Sequence, residues 1–216
     1  CVYAVDLRNH GSSPWDESMS YADMAEDVAA FIVDRKLGSA TVIGHSMGGK
    51  AAMVLALTRP ELIARLVAVD IAPVTYPHDR FAGLVNALTA LDLSRIQRRA
   101  EADQRLTAAV SDAVTRHFLL QNLVERDCRF AWRINLAAIL ANLSGIAAFP
   151  ELPGVYSRPA LFVHGKLSSY VEPSTEPTIR SMFPDAAFVA IDGAGHWVHA
   201  DRPEAFIAAV ADFIAR

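Results

Sequence analysis

The hydrophobic positions of the chain fall into two kinds of run that take turns. ATVIG (40–44), LVAVD (66–70), ALFVH (160–164) and AAFVAI (186–191) are short, nearly continuous apolar stretches bounded by polar or glycine positions. Runs of that kind read as strands buried on both faces. Between them the period changes. Met24, Val28, Phe31 and Ile32 recur at helical spacing, with Ser20 placed as an N-cap, Asp23 three residues on approximating a capping box, and Gly38 as the C-cap. Met47 to Leu57 is rich in helix formers and stops before Pro60. Helices are also expected toward Phe183 and from Pro203 to Arg216, and Val2 to Val5 reads as a further strand before the polar loop DLRNHGSSP. Strand and helix in alternation predict a mostly parallel sheet with helices on both faces.

From about Pro73 to Pro159 the alternation stops. RFAGLVNALTAL, the Arg/Glu/Ala-rich stretch 94–110 and FAWRINLAAILANL follow one another as helical patterns with no clear strand between them. The organisation expected is therefore an α/β core made of residues 1–72 and 160–216, interrupted by an all-helical insertion over 73–159.

Bulk properties narrow the function. A chain of 216 residues, 52% hydrophobic and 20% charged, suits a well-packed globular domain with an insertion. The formal net charge of −4 supplies no basic field, so nucleic acid is not an expected partner. No apolar run is long enough for a membrane span. The two cysteines, Cys1 and Cys128, lack metal-ligand spacing. Reduced thiols, no zinc and a cytoplasmic setting are the expectation. The chain starts at Cys1 rather than Met, inside what reads as a strand, and more residues are expected upstream in the natural protein.

Residues 44–48, Gly-His-Ser-Met-Gly, carry the chemistry. The pattern G-x-S-x-G is weak alone, but here a strand precedes it and a helix follows, the context of a nucleophile elbow. A sharp turn of that kind lifts the hydroxyl of Ser46 above the sheet edge and requires small neighbours, for which Gly44 and Gly48 are placed. The backbone N–H of Met47, at the helix N-terminus, is positioned to donate to a developing oxyanion. A serine hydroxyl needs a base. His196 lies in the loop DGAGHWVHADRPEAF, after the last strand and before the last helix, flanked by glycine; His199 competes but lies nearer the helix start. The order Ser…His, with the His near the C-terminus, favours His196.

With these motifs in view the chain resembles the α/β-hydrolases. GHSMGGK, VAVDIAP and GAGHWVHA, with DLRNHGSSP upstream, are similar to the small esterases of the YbfF type. The resemblance covers nearly the whole chain. It implies an α/β-hydrolase fold with the N-terminal strands of that fold absent from this chain, and it makes the insertion a cap over the active site. It also implies an acid at the fourth position after a His, in H-G-x-x-D-x-x-V. This chain reads His164-Gly165-Lys166-Leu167-Ser168-Ser169-Tyr170-Val171, with Ser168 in the acid's place. Asp70 is the alternative: it ends the strand after the nucleophile helix, and in a parallel sheet that end lies beside the end that carries Ser46. The YbfF-like esterases are similar in pairing such an Asp with a Ser at the usual position. Asp70 as a turn residue, Glu172 as the acid and Asp192 as a loop-shaping residue are the other readings.

In the family pattern His10-Gly11 belongs to a D-x-R-x-x-G-x-S loop rather than to the oxyanion loop, which is expected upstream of Cys1. Phe118, Phe130, Trp132, Phe149, Tyr156 and Trp197 are candidates for lining an acyl pocket, or else plain core. Arg95, Arg98, Arg99 and Arg105 are candidates for meeting a phosphate-bearing substrate such as an acyl-CoA, or else a solvated helix face with Glu101 and Asp103.

The reading is a serine hydrolase for small-molecule ester or thioester substrates, acting through an acyl-enzyme. Ser46 is the nucleophile, His196 the base and Asp70 its partner, with Ser168 assisting; no cofactor and no metal are needed. The rivals are C–C bond hydrolysis, lactone opening or perhydrolysis on the same fold, and a non-catalytic ligand-binding relative. A dehalogenase would carry Asp at position 46.

Overall fold

The computed structural model describes residues 1–77 and 79–216. In chain order, α1 (Tyr21–Asp34) leads to β1 (Ala40–His45), α2 (Met47–Thr58) and β2 (Ile63–Val69). Next come α3 (Asp79–Thr89), α4 (Arg99–Leu106), α5 (Ala113–Leu120), β3 (Leu123–Arg126), β4 (Arg129–Trp132), α6 (Leu136–Ala141) and α7 (Leu143–Ala147). The chain ends with β5 (Ala160–Gly165), α8 (Glu176–Met182), β6 (Ala186–Ile191), α9 (Val198–Asp201) and α10 (Pro203–Ala215). These elements form two compact units: residues 1–20 with 76–147, and residues 21–75 with 148–216. No helix among the described residues is long and apolar enough to cross a membrane.

The second unit is built on a four-stranded sheet of order β1-β2-β5-β6. All three of its strand pairings are parallel. Because side chains alternate between faces along a strand, the same apolar runs supply two cores. Val67, Val69, Leu161, Val163 and Ile191 join Ala194, Val198 and Val210, with Phe206 and Phe213 of α10 packed against them. Phe162 on the alternate register meets the rings of Phe183 and Phe188 at centroid distances of 5.6 and 5.7 Å. Helix α2 packs against β1 and β2 and is buried almost throughout, from Gly49 to Leu57, and α1 packs on it. This is the α/β-hydrolase arrangement of a mostly parallel sheet flanked by helices.

In the first unit, α3 to α6 enclose a core of Leu88, Ala102, Leu106, Leu120, Leu123, Ile134 and Leu136. It is not all-helical. Leu123–Arg126 and Arg129–Trp132 pair as an antiparallel hairpin. Its turn residues Asp127 and Cys128 both take positive φ, 50° and 60°, the backbone that closes a tight two-residue hairpin. The sequence hides this because Phe-Ala-Trp runs without a break into the following helical pattern. Phe130 and Trp132 pack on the core of this unit rather than standing apart as pocket residues.

Three further expectations change at the ends of elements. Val2 to Val5 forms no strand: residues 1–7 have no regular structure, and Val2 is 93% exposed. A strand exists through its ladder, and no described strand pairs with this segment. The cap of α1 is Lys36 (φ 53°) rather than Gly38; the Leu37 N–H bonds the Ile32 carbonyl and the Lys36 N–H that of Val33, a Schellman motif. Tyr156 is fully buried in the sheet unit, donating its hydroxyl to the Ile63 carbonyl at 3.2 Å, and is core rather than pocket.

Residues 1–20 pack with the helical segment, and one side chain explains why. Asn9 is fully buried with φ 66°. Its Oδ1 accepts from the Asp16 N–H (2.8 Å) and from Asn135 Nδ2 (3.0 Å) at the start of α6, and its carbonyl accepts from the Asn135 N–H (2.9 Å). The loop around it is closed by its own side chains: Asp6 Oδ2 accepts from the Ser12 N–H and hydroxyl, at 3.0 and 3.2 Å. His10 bonds the Arg8 carbonyl at 2.9 Å, so His10-Gly11 builds this loop. Removing the Asn9 amide takes the acceptor from the Asp16 N–H and the nearer of two acceptors from Asn135 Nδ2. Asn9→Gly, which tolerates the positive φ, is expected to cost about 2 kcal/mol in urea unfolding; a loss below about 0.5 kcal/mol would contradict this account of the loop.

Candidate active site

The carboxyl ends of β1, β2 and β5 and the loop after β6 bring the site together within the sheet unit. The β1–β2 register ends at His45↔Val69, so Ser46 and Asp70 stand one step further along neighbouring strands. Their backbones are tied in sequence across the sheet: the Ser46 N–H donates to the Val69 carbonyl at 3.0 Å, and the Asp70 N–H to the Val163 carbonyl at 2.8 Å. Both residues have left-handed φ without being glycine, 54° for Ser46 (with ψ −121°) and 49° for Asp70. Conformations of that kind cost about 1–3 kcal/mol each and persist where the surroundings enforce them. They turn two side chains out of two ladders at the same sheet edge.

The elbow depends on glycine, though not where the motif suggests. A Cβ on Gly44 would lie 2.1 Å from the Gly48 carbonyl oxygen, and one on Gly49 would lie 2.5 Å from Ile71 Cγ2. One on Gly48 would meet nothing within 4 Å. The steric demand is at 44 and 49, where the first turn of α2 folds back over β1. Met47 is the first residue of α2, so its N–H is one of the first-turn donors with no acceptor inside the helix.

Asp70 is fully buried and receives three donors. Its Oδ1 accepts from the Gly165 N–H at 3.1 Å. Its Oδ2 accepts from the Ser168 hydroxyl at 2.5 Å and from His196 Nδ1 at 2.7 Å. That is the donor set a buried carboxylate charge needs. With Nδ1 donating, neutral His196 carries its lone pair on Nε2. Its ring is 21% exposed and stacks on Tyr170 at 4.3 Å between centroids. Gly165 lets the turn after β5 abut the His196 loop: a Cβ there would sit 2.3 Å from the carbonyl oxygens of Ala194 and Gly195.

Glu172 is exposed at the start of a short 3-10 turn. Asp192 is 85% exposed and pairs with Lys166 at 2.7 Å, while its carbonyl accepts from Arg202; it shapes the loop. Of the four candidate arginines, three have side chains that are tied locally. Arg98 pairs with Glu101, Arg105 donates to the Arg95 carbonyl, and Arg99 donates to the carbonyls of Leu120 and Leu123.

Sequence reasoning gave no role to His45, Tyr170 or Lys50. His45 stood in plain sight inside G-x-S-x-G, and Tyr170 two residues after Ser168. The His45 ring centroid lies 4.6 Å from that of His196, 5.2 Å from Trp197 and 5.1 Å from His199. Burial, and then the neighbouring His196, lower its pKa to about 4. Burial also lowers His199 and His164. All three favour the neutral ring.

The alpha/beta hydrolase family matches residues 1–209 of the chain. The chain belongs to that family. The sn-1-specific diacylglycerol lipase ABHD11 of Mus musculus is 43% identical over 219 residues, covering 99% of this chain and 71% of that protein. Esterase YbfF of Escherichia coli K12 is 36% identical, covering 99% of this chain and 82% of the relative. Among solved structures, a marine microorganism esterase superposes with a TM-score of 0.93 at 37% identity, covering 96% of this chain and 82% of the other. The protein is a hydrolase.

Lys50, four residues past Ser46, is 1% exposed and donates its Nζ to the Ala148 carbonyl at 2.8 Å. Burial lowers its pKa to about 8. The cost of the buried charge is fully present below pH 8. As pH rises toward the unfolded value of 10.5, the unfolded chain holds the extra proton and stability increases. Lys50→Met removes that titration. Urea unfolding between about pH 8 and about pH 10 is expected to show the parent gaining on the variant by a few kcal/mol, at about 1.4 kcal/mol per pKa unit. Parallel pH dependences would contradict it.

Proposed function

We propose that the protein is a serine hydrolase that cleaves carboxylic ester or thioester bonds of small acyl substrates through an acyl-enzyme. The observation that carries this reading is the polarity of the Asp70–His196 bond. A buried carboxylate holds Nδ1–H, so the lone pair is left on Nε2, the nitrogen a base uses toward a serine hydroxyl. Ser46 stands beside Asp70 on the adjoining strand end, in the strained backbone of a nucleophile elbow.

In this mechanism Ser46 Oγ attacks the acyl carbon while its proton passes to His196 Nε2. The Met47 N–H donates to the oxyanion that forms. Asp70 balances the imidazolium, and the Ser168 hydroxyl and Gly165 N–H hold Asp70. His196 then gives its proton to the leaving alcohol or thiol. Water repeats the sequence on the acyl-enzyme: His196 takes its proton, the hydroxyl oxygen bonds to the acyl carbon, and the proton returns to Ser46 as the acid leaves. The names of the relatives, a diacylglycerol lipase and esterases, favour an ester bond over the C–C and lactone chemistries of the same fold.

Kinetics on one short-chain p-nitrophenyl ester test the roles. Ser46→Ala is expected to lower kcat by about 10⁶ with folding intact. Asp70→Asn is expected to lose about 10⁴. Ser168→Ala, which removes one neutral hydrogen bond of about 1 kcal/mol, is expected to lose about tenfold or less. Near-parent rates in folded Ser46→Ala would end the serine reading, and Asp70→Asn within a few-fold of the parent would end the role of Asp70.

A further inference from the structure

We infer that His45 is a positioning residue: its imidazole straps the backbone of the base to the strand that carries the nucleophile, and so sets the Ser46–His196 separation. The inference rests on the roles proposed above for Ser46 and His196.

His45 Nε2 lies 2.8 Å from the carbonyl oxygen of His196. A carbonyl only accepts, so Nε2 carries the hydrogen and the neutral ring keeps its lone pair on Nδ1. Both ends of this bond are as close to the chemistry as sequence allows. The donor belongs to the residue before Ser46, and the acceptor belongs to His196 itself.

Other bonds hold the His196 loop from elsewhere. The Lys166 N–H donates to the Ile191 carbonyl and the Leu167 N–H to the Ala194 carbonyl, both from the turn after β5, while the Gly195 N–H donates to Asp201 at the end of α9. Asp70 fixes the His196 ring from β2. The His45 bond adds the tie to β1, the strand whose position decides where the Ser46 hydroxyl stands. The other bonds named reach the loop from β2, from the turn after β5 and from α9.

A histidine suits this task better than a flexible donor. Its planar ring lies against the rings of His196, Trp197 and His199, which fixes its direction. It also stays uncharged near pH 7, so it does not oppose the imidazolium that His196 becomes during turnover. A misplacement of about 1 Å between reacting groups costs on the order of 10²-fold in rate. A strap at this point therefore acts on kcat and leaves substrate binding alone.

The test compares His45→Gln, His45→Met and His45→Asn by kcat and KM on one p-nitrophenyl ester, with the rate of Ser46 labelling by a fluorophosphonate and Ser46→Ala run beside them. The Gln amide nitrogen occupies the same bond position as Nε2, Met has the length without the donor, and Asn has the donor one bond short. Met and Asn are expected to lose roughly 10- to 100-fold in kcat with KM within about threefold, labelling slowing in parallel, and Gln to stay within about fivefold of the parent. A folded Met variant at the parent kcat, or Gln losing as much as Met, would overturn the inference. If Met does not fold, Gln and Asn decide it, and equal rates for those two would overturn it. Activity surviving in Ser46→Ala would instead show that the functional reading itself fails; a dead Ser46→Ala beside a fully active Met variant would sink the strap alone.

Discussion

A carboxylate with no access to water is stable only if the protein supplies the hydrogen bonds that water would have made. Asp70 meets that condition at the end of β2, with the Gly165 N–H on one oxygen and the Ser168 hydroxyl and His196 Nδ1 on the other. The rest of the site follows from this requirement. The turn after β5 must pass close enough to donate, which needs Gly165. The loop after β6 must deliver an imidazole to the remaining lone pair. The backbone at position 70 must turn into the left-handed region to aim the carboxyl along the sheet edge, and the Ser46 backbone does the same beside it. The parallel sheet supplies the stiffness that enforces both strained residues.

The same requirement accounts for Ser168 at the position where the family resemblance leads one to expect an acid. Two carboxylates sharing one imidazole would repel each other in a buried site. With the charge moved to β2, the position after β5 needs only a donor, and Ser168 is one. The hydroxyl bonds Asp70, so its action on His196 passes through the carboxylate. His45 completes the arrangement from the side of β1, holding the carbonyl of His196 while Asp70 holds its ring.

The elements long enough to show a period were legible from sequence: β1, β5, β6, α2 and α10 lie within a residue of their expected bounds, and β2 was found but starts three residues earlier, at Ile63. What escaped has a physical reason in each case. The Leu123–Trp132 hairpin is eight residues of ladder and two of turn, too short for alternation to stand out beside helical neighbours. Val2 to Val5 has strand composition, but pairing depends on partners elsewhere and not on composition. Gly38 looked like a cap because glycine favours positive φ, yet Lys36 takes that conformation and is held there by two backbone bonds. Gly48 belongs to the motif, yet the crowding falls on Gly49, because Ile71 arrives from a different part of the chain. His45 and Tyr170 act through contacts with His196, which lies 151 residues from one of them; no local pattern records such a meeting. The end of β2 was different. The order of strands and helices alone predicts that Asp70 and Ser46 share one sheet edge.

The most direct measurement moves the charge. In Asp70→Asn the carboxylate is gone from β2, and adding Ser168→Asp returns one at the turn after β5. If a carboxylate on His196 Nδ1 is what the site requires, the double variant is expected to recover kcat/KM by about 10- to 100-fold over Asp70→Asn alone, short of the parent, because one carboxylate in either place steadies the imidazolium. A double variant that folds as well as the parent yet stays at the level of Asp70→Asn would show that the charge acts only from β2. A single Asp70→Asn variant already near the parent rate would contradict the account altogether.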